Sequence, residues 1–540
     1  MPVFFLGSLE PLLGTGSFET LFLIGAGAVA LGMLLWDTIE VGRNDAANLV
    51  NAVFGARVLS RRAAVYLAGV AVVLGASASS PVMDTARKGI FDPTMLTIEM
   101  ALAVYVAVYI VDTVLLYCYS AFGMPVSTTA CLVFELLGAA FALGALELGE
   151  WDVVSWVTAG KVMFAIVCSI LITGIAAFFI QRIVRGAIRD RTTNLAVLLA
   201  HGSWTGGGML AGLTYFMLVK GMTQVGFVNH LNEKLAEAEL VKAYGPIVIL
   251  LVLWAAYGIL IHALLAAFGK RAAKRLFPAL AVIGTFAMAF AFGQNDLANC
   301  AAPGLGALNL IQHRDAGVVV GTNVPIPVWA LAGCGLLMAL GMTTRNAQRV
   351  TSTAVHSGSM AHQVRLWAPR WCIGLARHLL SRFRGRRPVL APLPEVTPAG
   401  KTMHFDALRA CVILAVSASV IATASGFGLP VSTTYVAFAA VLATGLADRI
   451  FQRGDADLKL ARTIWVMFSW LAASAIAAVC AGVVCLLVYK AQAAGIVIGV
   501  GANLAVRRAL KRRADAQELR VREAARERKH PELYAEEYEG

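Results

Sequence analysis

Long apolar runs separated by short polar loops dominate the chain. The runs at 20–36, 246–268 and 464–489 contain no Asp, Glu, Lys or Arg. A helix needs roughly 20 consecutive apolar residues to cross the hydrocarbon of a bilayer. The pattern therefore predicts an all-α polytopic membrane protein with about twelve transmembrane helices. Two duplicated motifs add to this fold an inverted repeat with discontinuous helices.

The predicted spans follow from reading each apolar run of about crossing length as one helix. They lie near 18–41, 63–80, 97–118, 129–146, 160–180, 196–219, 245–268, 278–293, 318–340, 407–424, 430–446 and 463–489.

Composition agrees with this interpretation. The 540 residues are 59% hydrophobic and 14% charged, whereas soluble proteins carry roughly 25% charged residues. None of the nine cysteines forms a CxxC pair, so neither a disulfide framework nor a zinc site is indicated. The N-terminus lacks the basic region of a cleavable signal peptide, and we expect the first run to be a retained span.

Basic residues orient the predicted spans. Lys and Arg concentrate in the loops on the side reached after the first span, here called side B, and above all in the loop 341–406. By the positive-inside rule side B is cytoplasmic and the N-terminus is outside. Twelve spans would put the C-terminus outside too, yet 507–529 is strongly basic. The short apolar segment 491–506 could make a thirteenth crossing or an interfacial return. A cytoplasmic tail is favoured, with lipid head groups rather than nucleic acid as its partner.

Two phrases occur twice and in the same order. The first pair consists of GRNDAANLVNA (42–52) and GQNDLANCAAP (293–303). The second pair consists of GMPVSTTA (123–130) and GLPVSTTY (428–435). Seven predicted crossings separate corresponding elements, and because seven is odd the halves have opposite orientations. Inverted repeats are typical of secondary transporters, whose substrate and ion sites lie near the midplane at the repeat interface.

The repeat also suggests how the chain is divided. The predicted units are a first repeat at 1–180, intervening spans at 181–277, the first part of the second repeat at 278–342, a cytoplasmic basic loop at 343–406, the remainder of the second repeat at 407–490, and a C-terminal segment with a basic tail at 491–540.

The Pro-Val-Ser-Thr-Thr phrase favours a new helix start inside the membrane. A helix beginning at Pro125 or Pro430 would have proline in its first turn, where no amide donor is lost. Hydroxyls and free N–H groups at the positive end of a helix form an anion site. The hydroxyls are those of Ser127, Thr128, Thr129, Ser432, Thr433 and Thr434.

The Asn-Asp phrase is also interpreted as a helix break, because glycine, asparagine and aspartate disfavour helix interiors. Asp45 and Asp296 would repel an anion, so they need another role. They could hold Na⁺, take up a coupled proton, or accept a hydrogen bond from the P–OH of phosphate, a donor that sulfate lacks. Charged groups at membrane depth usually have a function.

At these residues the sequence resembles the inorganic phosphate transporter (PiT) family, whose two signatures both appear here twice and in order. The resemblance implies a non-enzymatic symporter in the cell membrane that carries inorganic phosphate with Na⁺ or H⁺, needs no further cofactor, and forms a homodimer. It places substrate ligands on Asn44, Asp45, Asn48, Ser127, Thr128, Thr129, Asn295, Asp296, Asn299, Ser432, Thr433 and Thr434. If Na⁺ is the coupled ion, its ligands would be Asn44, Asp45, Asn295 and Asp296.

Departures from the family pattern leave alternatives open. Arg43 stands where the family usually has a small residue; it could clamp an oxyanion or simply neutralise the neighbouring aspartate. If it faces the site, sulfate or a related oxyanion becomes the alternative substrate. A glutamate usual in the family aligns near Val72, and Asp112 or Glu135 could replace it in proton coupling, or could be ordinary interhelical polar groups.

Other classes fit the sequence less well. An intramembrane enzyme would need a nucleophile beside an activating base, and the hydroxyl clusters have no nearby histidine in sequence. A passive channel could also use paired half-helices. Nothing in the sequence resembles a nucleotide-binding P-loop, which argues against direct ATP coupling. We therefore expect secondary active import of phosphate.

Overall fold

The computed structural model is built almost entirely of helices in the part of the chain that it describes. The described residues are 18–79, 82–83, 95–146, 153–222, 226–312, 327–361, 364, 366–383, 403–452 and 454–527.

The helices are numbered in chain order. They are α1 Phe18–Gly55, α2 Arg61–Ala76, α3 Ile98–Ala121, α4 Thr128–Ala145, α5 Trp156–Ile188, α6 Ser203–Thr214, α7 Gly226–Glu237, α8 Glu239–Tyr244, α9 Ile247–Gln312, α10 Val328–Met342, α11 Arg345–Ser357, α12 Arg370–Phe383, α13 Ala407–Gly426, α14 Thr433–Ala447 and α15 Ala456–Glu527. Short helical segments flank α6, namely Leu195–Val197 and the π-helical turns Leu198–Gly202 and Tyr215–Gly221.

Two of these helices are each a pair of helices joined at a sharp bend. α9 and α15 contain 66 and 72 residues, and a straight helix of that length would run roughly 100 Å, against a hydrocarbon core of about 30 Å. The φ angle is 53° at Gly269 and 51° at Gln492, so the right-handed helix cannot continue through either residue. α9 thus supplies the predicted spans 245–268 and 278–293, and α15 supplies 463–489 and a return through 491–506.

The described residues include seven helices that are long and apolar enough to cross a membrane, or eight if α10 and α11 form one span bent by 71°. α2 and α14, with 16 and 15 residues, are short for a full crossing but lie at predicted positions. The predicted span 318–340 is not one straight helix: 318–326 lie outside the described residues, and α10 turns into α11. The all-helical membrane fold is confirmed, while the count of twelve stays a prediction.

The Asn-Asp phrases do not break their helices, and that expectation was wrong. Both lie inside continuous helices, α1 and α9. Their first glycines instead permit close helix crossings. A Cβ at Gly42 would lie 2.0 Å from the carbonyl oxygen of Met338 in α10, and one at Gly293 would lie 2.3 Å from that of Val72 in α2. Small residues allow this approach, and through it each half packs against the second helix of the other.

The Pro-Val-Ser-Thr-Thr phrases do start helices, as predicted. α4 begins at Thr128 and α14 at Thr433, with Ser127 and Ser432 as N-caps whose side chains accept from the amide three residues on. This is the usual capping geometry. The position expected for the proline was wrong: Pro125 precedes the capping serine by two residues and lies outside the first helical turn, and its counterpart in the second half does the same.

Candidate functional site

The starts of α4 and α14 meet inside the protein. The Thr129 hydroxyl donates to the carbonyl oxygen of Val431 over 3.0 Å, and the Thr434 hydroxyl lies 3.0 Å from the carbonyl oxygen of Val126. The two contacts join equivalent positions of the two repeats, so the repeats are related by a local twofold symmetry here. Both threonines are 1% exposed. Two positive helix ends therefore point into one buried region.

Each of the two aspartates accepts a hydrogen bond from a threonine of the other repeat. Thr434 Oγ1 donates to Asp45 Oδ1 over 2.7 Å, and Thr128 Oγ1 donates to Asp296 Oδ1 over 3.0 Å. Each aspartate thus accepts from the hydroxyl cluster that belongs to the other repeat. The Asn-Asp helices and the hydroxyl-bearing helices form one interlocked unit.

An asparagine one turn after each aspartate donates to the same carboxylate. Asn48 Nδ2 donates to Asp45 Oδ1 at 2.7 Å and to Thr434 Oγ1 at 3.0 Å. Asn299 Nδ2 donates to Asp296 Oδ1 at 2.9 Å, and it also reaches the two threonine hydroxyls at the start of α4, at 2.8 and 3.1 Å. The amides hold one oxygen of each carboxylate in place.

The other two asparagines position the loops that precede the helix starts. Asn44 Oδ1 accepts from the Val126 amide at 3.0 Å, and Asn295 Oδ1 accepts from the Val431 amide at 3.1 Å. Their Nδ2 atoms donate to carbonyls of the same loops. These contacts tie α1 and α9 to the irregular backbone, whose polar groups must be satisfied within the protein at membrane depth.

One oxygen of each aspartate is left open. Asp45 and Asp296 are 0% exposed, and their Oδ2 atoms have no hydrogen-bond partner among the described residues. A buried, unpartnered carboxylate is costly, so each open oxygen calls for a proton, a cation or a donor on a bound molecule.

Twelve of the predicted site residues are thus gathered in one buried region. Each is at most 5% exposed: Asn44, Asp45, Asn48, Ser127, Thr128, Thr129, Asn295, Asp296, Asn299, Ser432, Thr433 and Thr434.

Arg43 does not join them. Its Nη1 lies 2.7 Å from both carboxylate oxygens of Glu40, one turn earlier on α1, and its Nε donates to Thr344 Oγ1 at 3.2 Å. The suggestion that it clamps an oxyanion, or neutralises the aspartate beside it, is therefore corrected: Arg43 forms an ion pair outside the hydroxyl network.

Asp112 and Glu135 also lie outside that network. Both are buried, at 2% and 0% exposure, and no bond between either and the twelve site residues is found in the described ranges. The Oδ1 atom of Asp112 and both oxygens of Glu135 lack a partner there.

Two serines of the site were missed by the sequence analysis. Asn44 Nδ2 donates to Ser120 Oγ at 3.0 Å, and Ser425 Oγ donates to Asn295 Oδ1 at 3.4 Å. The signal was present, because the repeat extends upstream: SAFGMPVSTT begins at Ser120 and SGFGLPVSTT at Ser425. A longer alignment of the two copies would have included both.

A family model for phosphate transporters matches residues 41–356 and 397–491. The chain belongs to the Phosphate transporter family. Similar proteins from Pyrococcus furiosus and Chlamydia muridarum, each carrying the name "Putative phosphate permease", are 26% and 25% identical and cover 82% and 80% of this chain and 92% and 91% of their own. A solved structure named "The sodium-dependent phosphate transporter" matches with a TM-score of 0.60 and 21% identity, over 86% of this chain and 98% of that one.

The resemblance drawn from the four motifs is confirmed by these matches, and so is the expectation that the protein is a transporter and not an enzyme. The solved structure shows a shared fold. The matched ranges contain all of the buried site residues.

Proposed function

We propose that the protein is a secondary active symporter of inorganic phosphate, driven by a Na⁺ or H⁺ gradient, which alternates access around the region where α4 and α14 begin. The observation that carries this proposal is the meeting of two helix N-termini from opposite repeats, cross-linked by Asp45 and Asp296. Helix N-termini favour anions, and the open carboxylate oxygens provide a place for a cation or a proton.

Phosphate fits the site better than sulfate. Near neutral pH phosphate keeps a P–OH donor, and each open Oδ2 atom of the aspartates is an acceptor for it. The reason for considering sulfate was an arginine facing the site, and Arg43 is held by Glu40 instead. The names of the relatives from two organisms support the same choice.

The coupled ion would interact with the same carboxylates. Asp45 and Asp296, with the amide oxygens of Asn44 and Asn295, form a hard oxygen set of the kind that suits Na⁺. No group of three or more His, Cys, Asp or Glu in the described part of the chain could hold a metal ion, so a tightly held transition metal is not what we propose. The structural neighbour is named as sodium-dependent, which supports a coupled cation.

The orientation proposed is a cytoplasmic side B with the C-terminal tail on that side of the cell membrane. After the bend at Gln492, α15 returns along α3, where Asn503 Nδ2 donates to the Ile110 carbonyl at 2.7 Å. Further on, Glu518 pairs with Arg345 at the start of α11. Because α11 lies in the basic loop of side B, a thirteenth crossing brings the tail there. Contact of the tail with lipid and a homodimer stay predictions.

Uptake by purified protein in lipid vesicles tests the function. Labelled phosphate should accumulate under an imposed Na⁺ or pH gradient, and excess unlabelled phosphate should compete far better than sulfate. The Asp45→Asn, Asp296→Asn double variant should lose accumulation. Flux that ignores both gradients would favour a channel, and preferential competition by sulfate would overturn the choice of substrate.

A further inference from the structure

We propose a proton-binding site formed by Asp37, Asp112 and Glu135, separate from the phosphate site. The inference rests on the proposed symport and assigns a coupled proton to residues outside the twelve-residue network. The three carboxyl groups come from α1, α3 and α4, and α3 packs against both of the other two helices.

Burial and missing partners define the cluster. The three residues are at most 2% exposed. No donor among the described residues reaches either oxygen of Asp37, the Oδ1 atom of Asp112 or either oxygen of Glu135. A buried carboxylate oxygen without a donor is costly, and a bound proton removes that cost. These five unpartnered oxygens are the sign that protons are bound here.

The arginines described near this cluster bind another carboxylate. Arg43 and Arg507 each lie 2.7 Å from the Oε1 atom of Glu40. Within the described ranges, these two guanidinium groups are thus already paired. The titratable and charged groups that face it from the packed helices are Glu40, Asp45, Tyr109, Cys131, Cys300, Cys480 and Arg507.

The carboxyl cluster lies on the same helices as the phosphate site, about two helical turns away from it. Asp37 precedes Asp45 on α1 and Glu135 follows Thr128 on α4, each by about two helical turns. Asp112 precedes Ser120 on α3 by a similar distance. In the proposed orientation α1 and α3 run from the outside, here called side A, to side B, and α4 runs back. All three carboxyl groups therefore lie nearer to side A than the phosphate site does.

The repeat does not duplicate this cluster. Positions equivalent to Asp37, Asp112 and Glu135, counted from the repeated motifs, are Met288, Ser417 and Ala440. The phosphate ligands are present in both halves, whereas the carboxyl cluster is present in one. A purely architectural role in the inverted repeat would not require that difference.

A proton suits this site better than a metal ion. No group of His, Cys, Asp and Glu here or elsewhere in the described ranges has metal-binding geometry. A proton arriving from water on side A forms an O–H bond on one of these carboxylates. When the site opens to side B, that O–H bond breaks and the proton leaves to cytoplasmic water. Protonation removes the cost of a buried charge, which would allow the loaded protein to change conformation.

The test separates coupling from phosphate translocation. Purified protein in vesicles is assayed for phosphate accumulation driven by an acid-outside pH gradient, and for phosphate–phosphate exchange with no gradient. Asp112→Asn and Glu135→Gln should each lower gradient-driven accumulation by at least about tenfold while exchange stays within about threefold of the parent. Glu99→Gln, at a half-buried position in the first turn of the same α3, is the matched control and should change neither. Thermal melting of each variant checks that it is folded.

Each outcome decides the proposal. Full pH-driven accumulation in both folded amide variants would overturn it, as would equal loss of exchange and accumulation in both. Accumulation by the parent under Na⁺ alone, with no response to a pH gradient, would also overturn it and leave the proposed phosphate symport intact. Absence of any phosphate exchange by the parent would instead contradict the proposed function, and the proton site would fall with it.

Discussion

Replacing Thr434 by valine removes one hydroxyl while keeping the shape of the side chain almost unchanged. That hydroxyl donates to Asp45 Oδ1 over 2.7 Å and accepts from Asn48 Nδ2 over 3.0 Å. The Asp45 Oδ2 atom already lacks a partner among the described residues. The variant therefore leaves the carboxylate with a single donor, in a position where water cannot compensate.

The expected loss can be worked from this contact. A hydrogen bond to a charged group contributes about 1.5–3 kcal/mol, and about 1.4 kcal/mol corresponds to tenfold in affinity. Thr434→Val should therefore weaken phosphate binding by about 10- to 100-fold. Thr423→Val is the matched control. Among the contacts described, the Thr423 hydroxyl bonds only to the Ser419 carbonyl of its own helix. We therefore expect the phosphate affinity of this control to stay within about twofold of the parent.

A double-mutant cycle then shows whether the bond to Asp45 is responsible. Binding of labelled phosphate is measured for purified protein in lipid nanodiscs, with Thr434→Val, Asp45→Asn and both together. Residues in contact should show a coupling free energy of about 1–3 kcal/mol, whereas Thr423→Val with Asp45→Asn should be additive within about 0.5 kcal/mol. Parent-like binding by Thr434→Val, or additivity of the Thr434 and Asp45 changes, would refute the cross-repeat contact.

Three further predictions follow from the packing and orientation. Gly42→Ala places a methyl group 2.0 Å from a backbone oxygen of α10 and should lower the melting temperature. Gly32→Ala is the control, because its methyl group meets nothing within 4 Å, and it should leave the melting temperature unchanged or raise it. Equal melting temperatures of the two variants would contradict the close helix crossing. Arg43→Gln should leave phosphate affinity within about threefold of the parent in the same binding assay, because the guanidinium is bound to Glu40; a larger loss would return Arg43 to the site. Arg512→Cys should react with a membrane-impermeant maleimide, above the parent background, in inverted but not right-side-out vesicles; the reverse pattern would place the tail outside.

Local signals in the sequence predicted the helix starts well. The proline of this phrase ends an apolar run, and the serine that follows it caps the next helix. Ser127 and Ser432 cap their helices in this way. The repeated motifs also predicted that α4 and α14 would occupy equivalent positions in the two halves. These features depend on chain order and on short-range geometry, which a sequence displays directly.

Features that depend on packing between distant helices could not be predicted. The role of Gly42 is set by a carbonyl of Met338 on another helix, so in sequence it looked like a helix breaker. The pairing of Asp45 with the hydroxyl cluster of the other repeat, rather than its own, depends on how the halves interlock. The sequence analysis considered an oxyanion or Asp45 as the partner of Arg43 and did not consider Glu40, which is one turn away.

The most direct measurement is the position of phosphate in a structure of the protein solved in lipid with phosphate bound. We expect density for the anion between the starts of α4 and α14, within hydrogen-bonding distance of the hydroxyls at Ser127–Thr129 and Ser432–Thr434 and beside the open oxygens of Asp45 and Asp296. Density confined to the basic loops of side B, with an empty junction between these helix ends, would contradict the account.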